Sequence, residues 1–297
     1  MSAESTQQPD DGGSPAPSKP LVSVIFDDVV SWLDRRLGGF FSAAGVMVHF
    51  AYATLIGVGR GLLSTCGIGR CKAFAWREAV KQMEQAGTQS MAIITLVAFL
   101  VGVTLVLQTI FVLDAWGQRD LVSAVVAVAF VRELGPLIVA IIFTGRVGAA
   151  YTAEIGTMKV QEEVLALQTM GINPIIYLVA PRFIASTLML PCLSIVSIFV
   201  GIFGGYLIGV YLYGIDNTIY IENARLYLDH IDVYFGILKS VFFGALIVTI
   251  ACYKGFTVEG GGEDVGRATM HCVVLTLVAI IFSDTIWTLV YNIYRGF

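Results

Sequence analysis

Five long apolar segments dominate the pattern of hydrophobic and polar positions along the chain. Each is long enough to cross the hydrocarbon core of a bilayer, which takes about 20 helical residues. Three of the segments also contain charged residues, namely Arg132 and Glu133 in the second, Lys239 near one end of the fourth, and Asp284 in the fifth. We therefore predict five transmembrane helices, over residues 91–113, 121–145, 183–213, 233–253 and 268–294.

Residues 40–59 form a further apolar segment, and the pattern leaves its placement open. Hydropathy alone would accept it as a sixth span, but basic residues flank it on both sides and nearby glycines weaken it as a free-standing helix. Such flanks favour a helix lying in the membrane interface. The polar, Pro- and Ser-rich start of the chain predicts a disordered cytoplasmic tail. The predicted organisation is a tail over 1–20, an interfacial helix with a connector over 21–87, and a five-span domain over 88–297.

The composition and the distribution of charge agree with an all-α polytopic membrane protein. The chain is 57% hydrophobic and 13% charged, whereas soluble domains carry about 25% charged residues. Lys and Arg concentrate in alternate connections, with thirteen on the side of the N-terminus. The other side has Arg119, Arg225 and Arg295, or four if Lys239 is included. The positive-inside rule then predicts a cytoplasmic N-terminus and a C-terminus outside.

The motifs of several function classes are missing from the sequence. There is no G-x-x-x-x-G-K-[ST] motif, so the chain lacks a P-loop for ATP. The five cysteines form no C-x-x-C pair, and no nucleic-acid module is visible. We expect no catalytic residues, no metal and no cofactor in this chain. Directed transport would therefore need energy from a partner or from an ion gradient.

Arg132 and Glu133 are the main candidates for a functional site. An ionisable group at membrane depth costs about 2.5–3.5 kcal/mol on insertion scales, so it usually faces a bundle interior or a cavity. The pair is either a structural lock between helices, a polar anchor in a substrate pocket, or part of a proton relay. Asp284 and His271 lie nearer the ends of the fifth span, and we expect them to reach the interface.

The connection between the second and third spans has an amphipathic pattern. Residues 153–169 predict one helix that ends before Gly171. This helix either projects toward a soluble motor protein or lies on the membrane surface as a connector. Its polar positions are Glu154, Lys159, Glu162 and Glu163.

Several of these blocks resemble the MlaE/YrbE permease family, the membrane subunits of ABC transporters that work with MCE-domain proteins. The matching blocks are Arg-Glu-Leu-Gly-Pro (132–136), Gly-Arg-Val-Gly-Ala (145–149), Ala-Glu-Ile-Gly (153–156), Ala-Pro-Arg-Phe (180–183), Gly-Gly (204–205) and Gly-Ile-Asp (214–216). The resemblance covers about residues 76–294.

The resemblance implies an interfacial helix before five spans and a homodimer that encloses a phospholipid cavity open toward the periplasm. It also implies an inner-membrane location and three kinds of partner: a cytoplasmic ATPase dimer that binds ATP, a periplasmic MCE-domain protein and, in some systems, a STAS-domain protein. Residues 154–170 would be the coupling helix that docks on the ATPase. The implied lipid-binding residues are Arg132, Glu133, Leu105, Val112 and Trp116, where Trp116 departs from a Tyr found in one branch.

Three alternatives stay open at this point. The same machine could carry a sterol or a fatty acid, which has no phosphate head group for Arg132 to bind. The chain could instead be a proton-coupled carrier that uses Glu133 and Asp284. It could also be a structural anchor for an MCE assembly, which would not need a coupling helix.

Overall fold

The computed structural model describes residues 76–296, with the side chain of Trp76 left out. The predicted tail over 1–20 and the segment 40–59 lie outside the described residues. All regular structure in the described range is helical. In chain order the helices are α1 (Trp76–Ala115), α2 (Arg119–Val160), α3 (Glu163–Thr169), α4 (Ile175–Leu212), α5 (Asn217–Leu226), α6 (His230–Phe256) and α7 (Gly262–Arg295).

The five predicted spans are confirmed as α1, α2, α4, α6 and α7, each of which is long and apolar enough to cross a membrane. Most of them extend beyond their apolar segments. Helix α1 begins 15 residues before the predicted span, and α2 continues 15 residues beyond it. At 1.5 Å per residue the 40 residues of α1 span about 60 Å, twice the bilayer core, so its polar first turns protrude from the membrane.

The prediction of one continuous helix over 153–169 is wrong. Helix α2 runs on through Val160 and then stops, and the short helix α3 starts at Glu163. Between them Glu162 has φ 61°, a left-handed conformation that breaks an α-helix. Gly171, which follows the end of α3, also has a left-handed conformation (φ +74°). We call the segment 161–174, which projects between α2 and α4, the arm.

The core lies where α1 packs along α4. Gly102 of α1 faces the backbone of Gly201 in α4, and a Cβ atom on Gly102 would overlap the carbonyl oxygen of Gly201. Gly201 in turn lies against the ring of Phe130 in α2. Small residues allow this close approach of helix backbones inside a membrane. Two apolar clusters fill the bundle, one around Phe143 and Ile247 and the other around Val106, Phe130 and Tyr220.

We expect Gly102→Ala to destabilise the fold, because the added methyl group would push α1 away from α4. Overpacking of this kind costs about 1–3 kcal/mol. Gly145→Ala is the matched control, since a Cβ atom there meets nothing within 4 Å. Thermal unfolding in detergent should show a lower midpoint for Gly102→Ala alone. Equal midpoints for the two variants would contradict this account of the α1–α4 contact.

Candidate functional site: a charged cluster beneath an apolar pocket

Arg132 and Glu133 lie on a π-helical turn of α2, Phe130–Leu134. Pro136 follows this turn, and because proline has no N–H it cannot bond to the carbonyl of Arg132 four residues earlier. Nζ of Lys239 in α6 lies 3.5 Å from that carbonyl oxygen and donates to it. The irregular backbone of α2 therefore meets a cation from a neighbouring helix at this point.

Arg132 belongs to the first half of a charged cluster. Its Nη2 lies 3.0 Å from Oδ2 of Asp232 in α6, a residue with no exposed surface. The guanidinium carbon lies 4.9 Å from the ring centre of Tyr291 in α7, within the range of a cation–π contact. The Tyr291 hydroxyl donates to the other oxygen of Asp232. Arg295 closes this half by donating to Tyr291 Oη at 2.7 Å and to Asp229 at 2.8 Å.

Glu133 belongs to the second half of the cluster. One of its carboxylate oxygens pairs with Lys239, and the other accepts a 2.8 Å hydrogen bond from Thr288 in α7. Lys239 also pairs with Asp284 of α7, and its side chain is only 4% exposed. One buried ammonium group therefore holds carboxylates from two different helices. Asp284, which we expected to reach the interface, pairs with Lys239 in the cluster, and 18% of its side chain is exposed.

Two residues of the charged cluster, Arg132 and Glu133, form the floor of a pocket of about 510 Å³. One wall is the apolar first half of α2, with Leu121, Ala124, Val125, Val128 and Ala129. The other wall comes from Tyr227, Thr288, Tyr291 and Asn292. These residues lie near the start of α2, just after α5 and near the end of α7, so the pocket is on the same side as the C-terminus. An apolar pocket of this size with a few convergent polar groups is typical of a small-molecule site.

The remaining predicted lipid-binding residues do not line this pocket within a single protomer. Leu105 packs, partly buried, against the cluster around Val106 and Phe130. Val112 and Trp116 are exposed near the end of α1, at 61% and 79%. Their contact with lipid stays a prediction.

The four polar residues predicted for the coupling helix separate into two groups. Glu154 pairs with Arg182 of α4, and Lys159 donates to the carbonyl of Phe256 at 2.7 Å. Both therefore have partners within this chain. Glu162 and Glu163, in the arm, are exposed.

Comparisons with known proteins assign the chain to a family. The sequence profile of the family described as Permease MlaE matches residues 79–290. The chain belongs to this family. It is 36% identical over 212 residues to the intermembrane phospholipid transport system permease protein MlaE of Haemophilus influenzae, covering 70% of this chain and 80% of that protein.

Two further relatives extend the comparison. A probable ABC transporter permease protein of Synechocystis is 36% identical over 253 residues, which is 85% of this chain and 89% of the relative. The chloroplastic protein TRIGALACTOSYLDIACYLGLYCEROL 1 of Arabidopsis thaliana is 37% identical over 209 residues, which is 70% of this chain and 60% of the relative. The matches place the chain among ABC transporter permeases, the membrane components of these transporters.

Sequence reasoning missed the cluster partners of this MlaE-family permease. Arg132 and Glu133 stood out because they interrupt an apolar run, but Asp232 was assigned to a loop and Lys239 to the end of a span. Tyr291 and Thr288 gave no signal in a span that already contains several polar residues. The one available clue was charge balance, since a buried Lys at 239 needs a buried carboxylate nearby.

We expect Lys239→Met to destabilise the protein by about 3 kcal/mol, because it leaves the partly buried carboxylates of Glu133 and Asp284 together without a cation. Thermal unfolding in detergent measures the effect. Adding Glu133→Gln and Asp284→Asn to Lys239→Met should recover much of the loss, since the uncompensated charges are then gone. If Lys239→Met alone is as stable as the wild type, hydration rather than pairing with Lys239 stabilises these carboxylates.

Proposed function

We propose that this chain is the permease subunit of an ABC transporter that moves phospholipid between the inner membrane and a periplasmic MCE-domain carrier. The observation that carries the proposal is the pocket of about 510 Å³, which has apolar walls for acyl chains and the Arg132–Glu133 floor for a head group. The name of the Haemophilus relative, a permease of an intermembrane phospholipid transport system, supports this cargo. A sterol would offer the guanidinium of Arg132 no anionic group, whereas a phospholipid offers a phosphate and a fatty acid offers a carboxylate.

The orientation that we propose follows the distribution of Lys and Arg, with the N-terminus in the cytoplasm and the C-terminus in the periplasm. The pocket then opens on the periplasmic side, where a carrier could receive or deliver lipid. Two copies of the chain would face each other, so that their pockets form one cavity. The subunit itself would break no covalent bond, since ATP hydrolysis would take place in the partner.

The arm is the proposed contact with the ATPase. Its acidic residues Glu162 and Glu163 are exposed, and so are the apolar side chains of Leu165 (55%) and Met170 (65%). Exposed apolar groups beside charges are common at protein interfaces. Closure of the ATPase dimer would push the arms together, narrow the shared cavity and expel lipid. A STAS-domain protein is an additional partner of this assembly in our proposal.

The test of the cargo is mass spectrometry of lipids that co-purify with the transporter complex. We expect phospholipid bound to the wild type, and a loss of about tenfold for Arg132→Ala and Glu133→Ala, since each removes one group of the pocket floor. Arg119→Ala is the matched control, because Arg119 is an exposed cation paired with Asp114 on the same side of the protein. Unchanged amounts of bound lipid in both pocket variants would mean that Arg132 and Glu133 only hold helices together and do not bind lipid.

The test of the docking surface is co-purification of the ATPase with Glu162→Lys/Glu163→Lys. We expect at least a fivefold loss of bound ATPase, because the reversed charges lie on the exposed arm. Glu263→Lys serves as the control, since Glu263 is also exposed and lies at the start of α7.

Lipid movement that collapses with a protonophore and continues without the ATPase would instead support the proton-coupled carrier.

A further inference from the structure

Arg182 is a buried cation at the base of the arm, and neither the pocket nor the docking surface uses it. Its side chain is 8% exposed. Nη2 lies 2.8 Å from Oε2 of Glu154 in α2, and Nη1 donates to the carbonyl of Leu178 at 3.2 Å. The guanidinium carbon lies 5.4 Å from the ring centre of Tyr151. Arg182 therefore joins the end of α2 to the start of α4, the two helices from which the arm projects.

This contact holds together two chain segments that the arm separates. The arm and the first turn of α4 lie between Glu154 and Arg182 in sequence. The pair is the ionic contact between the two helices here, beside the packing of Tyr151 against Arg182 and the hydrogen bond that Tyr151 accepts from Ser186. Breaking the pair would leave Arg182 buried without a counter-ion, which is costly. Glu154 is half exposed, at 50% for its side chain, so removing Arg182 instead would leave a carboxylate that water reaches.

A second set of contacts fixes the same end of α2 to α6. Lys159 Nζ donates to the carbonyl of Phe256 at 2.7 Å, and Thr152 Oγ1 donates to the carbonyl of Ala251 at 3.0 Å. Gly255, which has no Cβ atom, lies directly against Ile155. The end of α2 is therefore attached to α4 on one side and to α6 on the other.

Helix α2 also reaches the pocket. It is helical without interruption from Arg119 to Val160, and the 21 residues from Glu133 to Glu154 correspond to about 31 Å at 1.5 Å per residue. At the pocket end, Arg132 and Glu133 attach α2 to α6 and α7. Helix α2 therefore connects the arm directly to Arg132 and Glu133. A movement of the arm can shift these residues when the arm and the ends of α2 and α4 move together.

We propose that Glu154 and Arg182 are positioning residues that transmit movement of the arm to α2 and α4 as one unit. This inference rests on the proposed function, in which a partner ATPase moves the arm. Glu154 then acts within this chain and is not a docking residue. Loss of the pair lets the arm tilt on its own, so that ATP is hydrolysed without narrowing the pocket.

The experiment measures lipid moved per ATP hydrolysed by the complete transporter, purified through this chain and reconstituted in phospholipid vesicles. We expect Glu154→Ala to lower this ratio at least fivefold while the amount of bound ATPase and its hydrolysis rate stay within twofold of the wild type. Glu154→Gln, which keeps a hydrogen-bond acceptor but no charge, should fall between. Glu154→Asp should retain most of the coupling, because it keeps the carboxylate. Glu263→Ala, which removes the exposed partner of Arg267, is the matched control and should not change the ratio.

Three results would overturn the proposal. One is a normal ratio for Glu154→Ala, which would make the pair dispensable. Another is loss of the bound ATPase in Glu154→Ala, which would make Glu154 a docking residue. The third is an equal loss for all three Glu154 variants together with a lowered unfolding midpoint, which would make the pair a stability element only. A wild-type complex that moves no lipid would refute the proposed function itself, and would be seen before any variant is compared.

Discussion

The pairing of buried charges is the constraint on which the membrane domain depends. Lys239 is an ammonium group with 4% of its side chain exposed, and it pairs with both Glu133 of α2 and Asp284 of α7. An apolar contact between helices tolerates small sliding or rotation, because one methyl group can replace another. An ion pair in apolar surroundings does not, since a displaced partner leaves a charge uncompensated. The cluster therefore specifies one register for α2, α6 and α7.

The pocket is a consequence of the same arrangement. Small and branched side chains on the first half of α2 leave space beside α7, while the cluster closes that space from below. Arg132 and Glu133 each have an oppositely charged partner on the far side and still expose 28% and 37% of their side chains. A polar floor under apolar walls suits an amphipathic molecule better than a fully polar or fully apolar one.

The sequence was sufficient for the spans and for the two central charges, because both depend on local composition. It was not sufficient for their partners. Asp232 follows Arg132 by 100 positions, and hydropathy carries no information about which way a membrane helix is rotated. Asp232 therefore looked like a loop residue and Asp284 like an interface residue. The break at Glu162 was also hidden, since a left-handed residue is usually glycine or asparagine, and a glutamate there gives no signal.

Irregular turns in α2 explain why regular helical periodicity does not predict which face of α2 its distant residues occupy. Regular α-helix turns by about 100° per residue, but α2 contains π-helical turns at Phe130–Leu134 and Thr144–Gly148. Each π-helical turn accommodates roughly one extra residue, so each shifts the phase of everything that follows. A straight helical projection from Arg132 therefore misplaces Glu154 and Lys159, which meet α4 and α6 in the structure. The same irregularity lets one helix present charges to the pocket and to the base of the arm on different faces.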